Sequence, residues 1–155
     1  MIKLYRLVRL IETHSNELTL NLIQRVRNSE ATPDYQLVPD EDLRDRVSEM
    51  YCDPGDWLMT RDEFDLKQRY EKIGARRARQ EVALSQVLWA IVLTKDNLWE
   101  FITKHSEIER PVEVFGDLEM LELLDHFFDR AMYYAAVGYE KARAEMQAES
   151  LRASA

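Results

Sequence analysis

The sequence predicts an all-α fold, a bundle of about five main helices with long helices at both ends of the chain. Four glycines and four prolines among 155 residues leave few turns, which excludes a sandwich or a many-stranded barrel. Apolar residues recur at helical steps of three and four along most of the chain. They make up 46% of the residues, enough for one core. We expect one helical domain, residues 1–148, and a frayed tail, residues 149–155.

The first helix is predicted over residues 2–27, because its apolar residues share one helical face. The chain then reaches Pro33, and the residue before a proline is driven out of the α region, so the helix must end before it. The apolar face consists of Leu4, Val8, Ile11, Leu18, Leu22 and Val26.

Two shorter helices are predicted next, on either side of a turn at residues 53–56. Pro39 followed by three carboxylates is typical of a helix start, because proline needs no N–H there and acids favour the positive end of the helix dipole. Residues 60–63 match a capping box, which begins a helix running toward Gln80. Its acids come first and its arginines last, as the dipole also favours.

The fourth predicted helix, residues 82–102, is apolar around most of its circumference, which indicates a central position. A connector is expected at residues 104–116, and a last long helix at residues 117–146. One face of this last helix carries small residues that leave room for another backbone, either that of the first helix or that of a second copy of the chain. These small residues are Ala131, Ala135, Gly138 and Ala142.

Charge and composition exclude several classes of partner. A net charge of −8 argues against nucleic acid and anionic lipid as partners. No stretch approaches the ~18 uncharged residues of a membrane span, and basic residues interrupt the apolar N-terminus, so no secretory signal is expected. The single cysteine, Cys52, permits no internal disulfide. We therefore expect a cytoplasmic protein that binds neither nucleic acid nor membrane.

The sequence contains no recognisable catalytic, metal or cofactor set. Its few glycines cannot form a phosphate-binding loop. A di-iron bundle needs a Glu with a His three residues later on two helices, and His14, His105 and His126 all lack that Glu. Glu122 and His126 are four residues apart, a spacing that more often gives a surface hydrogen bond than a metal site. We expect surface or capping histidines rather than haem ligands, no cofactor and no enzyme.

Two groups of side chains leave a binding role open. The basic residues that share one helical face favour ion pairs with neighbouring acids over an anion site. The tyrosines of the last helix indicate a second buried face, hence an interface or a small-molecule pocket. The basic face consists of Arg69, Lys72, Arg76 and Arg79. The ligand hypothesis places His14, Tyr35, Arg76 and Arg77 at the polar end of an aromatic-lined pocket.

Three parts of the sequence together resemble a known family. They are the Thr-Pro-Asp-Tyr segment at residues 32–35, Leu43, and the run Gly-Ala-Arg-Arg-Ala-Arg-Gln at residues 74–80 that leads into the apolar segment 82–90. The chain resembles the RsbRD-type N-terminal domain of the RsbR co-antagonists of the bacterial stressosome. His14 matches a histidine in the family's first helix. The resemblance covers most of residues 10–102, with residues 124–144 as the closing helix.

The resemblance implies a globin-like helical domain without haem that dimerises and passes a signal along its terminal helices. Similar domains precede histidine kinases and other signalling outputs. The family's STAS domain has no counterpart here, since nothing after Met146 is expected to fold, so the chain is either a stand-alone sensor or a fragment of a longer protein. Many members carry a glycine where this chain has Glu81, which predicts a shallower bend or none.

We therefore predict a non-enzymatic bacterial stress-signalling module that acts as a homodimer, with a downstream signalling protein or domain as a candidate partner. The alternative is a small-molecule or cofactor-binding helical protein. The predicted dimer interface uses the regular faces of the two terminal helices. Its residues are Leu4, Val8, Ile11, Leu18, Ala131, Ala135, Gly138 and Ala142.

Overall fold

A computed structural model describes residues 2–52, 63–105 and 111–155, and these residues form six α-helices, one short 3₁₀ helix and no strand. The all-α prediction is therefore confirmed. The predicted turn at residues 53–56 and the predicted cap at Thr60 lie outside the described residues. The helices are α1 (Ile2–Thr13), α2 (Ser15–Asn28), α3 (Asp40–Cys52), α4 (Glu63–Arg79), α5 (Leu84–His105) and α6 (Pro111–Ala153), with the 3₁₀ helix at Pro33–Leu37.

The predicted first helix is interrupted at His14, which separates α1 from α2. The backbone of His14 has φ −107° and ψ 19°. Its imidazole Nδ1 lies 3.0 Å from the carbonyl oxygen of Leu10, the same oxygen that accepts the His14 backbone N–H. A side chain that competes for a carbonyl of the helical ladder is a common cause of a kink. The apolar spacing on both sides of the kink could not reveal it.

The core is formed where the helices pack against one another. Helix α4 packs along α6 in the most extensive pairing of helices, while α2 packs against α3 and α5, and α5 packs against α6. Ile11, Leu18, Leu98, Leu124 and Phe128 are at most 1% exposed and mark the centre of this core. No described helix combines the length and the apolar character that crossing a bilayer requires.

Two small residues of the last helix, Ala135 and Gly138, lie against the backbone of α4. A Cβ built on Gly138 would lie 2.0 Å from the carbonyl oxygen of Glu71, and one built on Gly74 would lie 1.9 Å from that of Ala135. The two backbones are therefore in direct contact at this crossing, and only glycine fits at either position.

The last helix is longer than predicted at both ends. It begins at Pro111 rather than at residue 117, with proline in the first helical turn, where its missing N–H costs nothing. The residues from Pro111 onward that were expected to form a connector are thus helical. At the other end the helix continues to Ala153, and residues 149–155 are exposed.

The bend after α4 is present without glycine. Glu81 has φ 60°, in the left-handed region. The Val82 N–H donates to the Arg77 carbonyl at 3.1 Å, and the Glu81 N–H donates to the Ala78 carbonyl at 3.0 Å, which is the hydrogen-bond pattern of a Schellman motif. The expectation of a shallower bend is wrong, because these hydrogen bonds hold a non-glycine residue in the conformation that glycine adopts more cheaply.

Candidate functional site

A cavity of about 100 Å³ lies between α2, α3, α4 and α5, with Phe128 of α6 contributing to its wall. Most of its lining is apolar, including Leu22, Val26, Val87 and Ile91. An apolar cavity of about 150 Å³ can hold benzene, so this one has room for a somewhat smaller ligand. A mainly apolar space with a few polar side chains is typical of small-molecule sites.

The cavity wall is polar where α4 places Arg77. The Arg77 side chain is only 3% exposed. Its Nη1 donates to Asp42 Oδ2 at 3.2 Å and to Gln80 Oε1 at 2.7 Å, and Gln80 Nε2 donates to the same Asp42 oxygen at 2.6 Å. The Arg77 guanidinium carbon also lies 5.6 Å from the centre of the Tyr35 ring. The buried cation is thus paired, hydrogen-bonded and stacked.

Charge in this network is set by opposing effects. Burial raises the pKa of Asp42, but hydrogen bonds from Gln80 and Arg76 and the charges of Arg76 and Arg77 outweigh it, so the pKa lies below its usual value. Burial raises the pKa of Tyr35 above its usual value, against the charge and hydrogen bond of Arg77. At neutral pH the network therefore contains an ionised Asp42 and a neutral Tyr35.

Arg69 also lines the cavity and has a different environment from Arg77. It lies two helical turns before Arg77 on α4 and is half-buried. Among the described residues no carboxylate forms an ion pair with Arg69, although Asp42 and Glu145 pair with the other three arginines of α4. Its charge lowers the pKa of its neighbour Tyr70, whose burial raises that pKa by more. Arg69 thus supplies positive charge that the cavity wall leaves unneutralised.

The four residues of the ligand hypothesis separate into two groups. Tyr35 and Arg77 line the cavity. Arg76 lies outside it, where its exposed side chain donates to Asp42 through Nε at 3.0 Å and through Nη2. His14 is elsewhere, in ring contact with Phe101 near the end of α5. The structure thus brings Tyr35 and Arg77 together at the cavity and places Arg76 and His14 outside its lining.

Several residues of the site were missed by the sequence analysis. Asp42 was interpreted only as a dipole-complementing acid, and Gln80 and Tyr70 were given no site role. A spacing of eight residues places Arg69 and Arg77 on one face of a helix, and this signal could have been used. Asp42 is separated from Arg77 by 35 residues, so its pairing depends on the tertiary structure.

Two of the four residues of the basic face of α4 form ion pairs, as the preferred interpretation predicts, whereas Arg69 pairs with no described carboxylate. Arg76 pairs with Asp42, and Arg79 Nη2 lies 3.0 Å from Glu145 Oε2. The aromatic cluster of α6 does not line the cavity apart from Phe128. Tyr134 instead donates to Glu63 Oε1 at 2.7 Å.

The predicted dimer interface is occupied within the subunit. Seven of its eight residues are buried by other parts of the same chain, and the side chain of Leu4 lies outside the described residues. An apolar stripe shows that a helix face leaves water, but it does not identify the surface that covers the face. The seven buried residues are Val8, Ile11, Leu18, Ala131, Ala135, Gly138 and Ala142.

Within the described ranges, no group of three or more His, Cys, Asp or Glu side chains lies close enough together to hold a metal ion. The buried carboxylate Asp42 is instead surrounded by cationic and amide donors, which compensate its charge without a metal.

A family model described as the RsbT co-antagonist protein rsbRD N-terminal domain matches residues 16–154. No curated protein and no solved structure matches the chain. The match runs from the start of α2 past the end of α6 and so includes every helix around the cavity. The resemblance found in the sequence is thereby confirmed, and the chain belongs to the rsbRD N-terminal domain family.

Proposed function

We propose that this chain is a non-enzymatic sensor module of bacterial, cytoplasmic stress signalling, and that its input is a small molecule bound in the cavity between α2, α3, α4 and α5. The observation that carries the proposal is the cavity itself, an apolar space of about 100 Å³ with two arginines on one wall. Membership of the rsbRD N-terminal domain family supports the signalling role.

The charge of Arg69 favours a ligand with an apolar body and one anionic group. Arg77 is neutralised by Asp42 and has little charge to offer. Arg69 has no carboxylate partner among the described residues and lies on the same wall. A guanidinium binds a carboxylate through two parallel hydrogen bonds, so a small carboxylic acid is the best match in charge and size.

The path from the cavity to an output runs through α4. This helix carries Arg69, Tyr70 and Arg77 on the cavity wall and touches the backbone of α6 at Gly74 and Gly138. A ligand that moves α4 must displace α6 too, because no flexible side chain lies between the backbones at that crossing. Helix α6 extends to Ala153 with exposed residues at its end, where a downstream protein or domain would bind.

We also propose that the module works as a homodimer, as the family resemblance implies. Since the sequence-predicted interface is buried, the two copies must meet through the exposed side of the terminal helices. That side retains large apolar residues: Tyr5 on α1 is 57% exposed, and Tyr133 and Leu151 on α6 are 61% and 73% exposed. Light scattering at tens of micromolar protein tests the proposal, and a monomer contradicts it.

A binding experiment tests the sensor proposal. Ligand-observed NMR with a set of small carboxylic acids should detect binding to the wild type. Ala90→Leu adds bulk to the cavity wall and should abolish binding, and Arg69→Gln should weaken it. Ala144→Leu, on the exposed side of α6, is the matched control and should bind as the wild type does. No binding by the wild type, or equal binding by Ala90→Leu, contradicts the proposal.

The alternative is a ligand-binding protein without a signalling output, and it shares the same cavity. Amide hydrogen exchange distinguishes the two. A sensor should change exchange in α6 around residues 135–139 when the acid binds, since these residues face α4. A simple binder should change exchange only in the segments that line the cavity, which on α6 means the residues around Phe128 and not residues 135–139.

A further inference from the structure

His14, at the kink between α1 and α2, lies close to a second histidine, His105, at the end of α5. The ring centre of His14 lies 5.0 Å from that of His105, the last residue of α5. Phe101 completes the cluster, with its ring centre 5.2 Å from His14 and 4.3 Å from His105. Phe101 is buried, His14 is half-buried and His105 is exposed, so the histidine pair lies at the surface on an apolar floor.

Hydrogen bonds determine which nitrogen of each ring is available. His14 Nδ1 lies 3.0 Å from the Leu10 carbonyl oxygen, and His105 Nδ1 lies 2.9 Å from the Phe101 carbonyl oxygen. A carbonyl can only accept, so each Nδ1 must carry the proton and donate it. In the neutral rings both Nε2 atoms therefore keep a lone pair. Histidines that bind metal typically donate their other N–H to a carbonyl in this way.

The separation of the two rings matches that of two ligands on one metal ion. A metal–nitrogen distance of about 2.0–2.1 Å places the ion about 3.2 Å from each ring centre. Two such rings are then about 5.2 Å apart for a tetrahedral angle at the metal and about 4.5 Å apart for a right angle. The observed separation of 5.0 Å falls between these values.

We propose that His14 and His105 form a binding site for a divalent transition metal ion of the class that prefers imidazole, Zn²⁺ or Cu²⁺, through their two Nε2 atoms. Water completes the coordination, since His105 is exposed. The site is separate from the cavity, whose lining includes neither histidine. A bound ion links the junction of α1 and α2 to the end of α5, two segments otherwise joined here by ring contacts.

The test is a titration of tag-free protein with ZnCl₂, followed by calorimetry. The wild type should bind one equivalent, and both His14→Gln and His105→Gln should weaken binding at least about tenfold, because each removes one of two protein ligands. His126→Gln is the matched control, since His126 is the remaining histidine and lies on α6 outside this cluster; it should bind as the wild type does. Absence of binding by the wild type, or loss of binding in His126→Gln alone, overturns the proposal.

A second measurement separates ligation from a folding defect. His105→Gln changes an exposed side chain and should leave the circular dichroism spectrum unaltered. In electron paramagnetic resonance the Cu²⁺ complex of the wild type should show coupling to two imidazole nitrogens, and that of His105→Gln to one. The melting temperature should rise with Zn²⁺ in the wild type and not in His105→Gln. Identical spectra for the two proteins overturn the proposal.

Discussion

Substitution of Gly138 by alanine should destabilise the protein, although alanine is the better helix former. The added methyl would lie 2.0 Å from the Glu71 carbonyl oxygen, whereas ordinary contacts begin near 3.4 Å, so α4 and α6 must separate by about 1.4 Å. The obstacle is backbone, which cannot rotate away as a side chain does. A gap of about 1 Å removes up to about half of the attraction between facing atoms.

The size of the effect follows from two opposing terms. Overpacking costs typically about 1–3 kcal/mol, and a backbone clash belongs at the upper end of that range. Alanine returns about 1 kcal/mol of helix propensity. The expected net loss is about 2 kcal/mol in the free energy of unfolding, which lowers the melting temperature by about 4–8 °C in a chain of this size.

Urea denaturation followed by circular dichroism measures this loss directly. Gly74→Ala should cost about as much, and the double variant should cost less than the sum of the two, because one separation of the helices accommodates both methyls. Ser150→Ala, on the exposed end of α6, is the control and should stay within about 0.5 kcal/mol of the wild type. A Gly138→Ala protein as stable as the wild type would refute the close crossing.

Three further changes test the surrounding contacts, each by urea denaturation. Asp42→Asn should lower the free energy of unfolding by about 3 kcal/mol at pH 7, because the buried Arg77 loses its counter-charge. Since the folded pKa of Asp42 is lowered, this contribution is present above the unfolded pKa and is lost as the pH falls through the folded pKa. The free energies of unfolding of the two proteins should therefore converge in acid. Tyr139→Phe should lose about 1–2 kcal/mol, since the Val82 carbonyl loses a buried 2.5 Å hydrogen bond; no loss would show that water replaces the hydroxyl. Glu81→Gly should gain about 0.5–1 kcal/mol, because it relieves a non-glycine residue at φ 60°; a loss would mean that the Glu81 side chain stabilises the bend.

The all-α fold class could be predicted from the sequence, because an amphipathic helix has apolar residues at steps of three and four. Leu18, Leu22 and Val26 were predicted to share a face, and all three are buried on α2. The capping pattern at Pro39 likewise identified the start of α3 at Asp40. The kink at His14 was not accessible in this way, because Ile11 and Leu18, seven residues apart, share one helical face across it.

The candidate site was only partly predictable. Tyr35 and Arg77 were identified as ligand residues, and both line the cavity. Arg76 and Arg77 are adjacent in sequence, yet one is 47% exposed at its side chain and the other 4%, because successive residues of a helix point in different directions and only one direction leads inward. Which of the two faced the cavity depended on the position of α3 and its Asp42.

The sequence by itself determined that the chain is helical, that its last helix presents a face of small residues, and to which family it belongs. The tertiary structure decided that α4 covers that face, that Asp42 neutralises Arg77 while Arg69 keeps its charge, and that His14 meets His105. The physical reason is that burial of apolar surface has no direction: periodicity shows which side chains leave water, and only the packed chain shows what covers them.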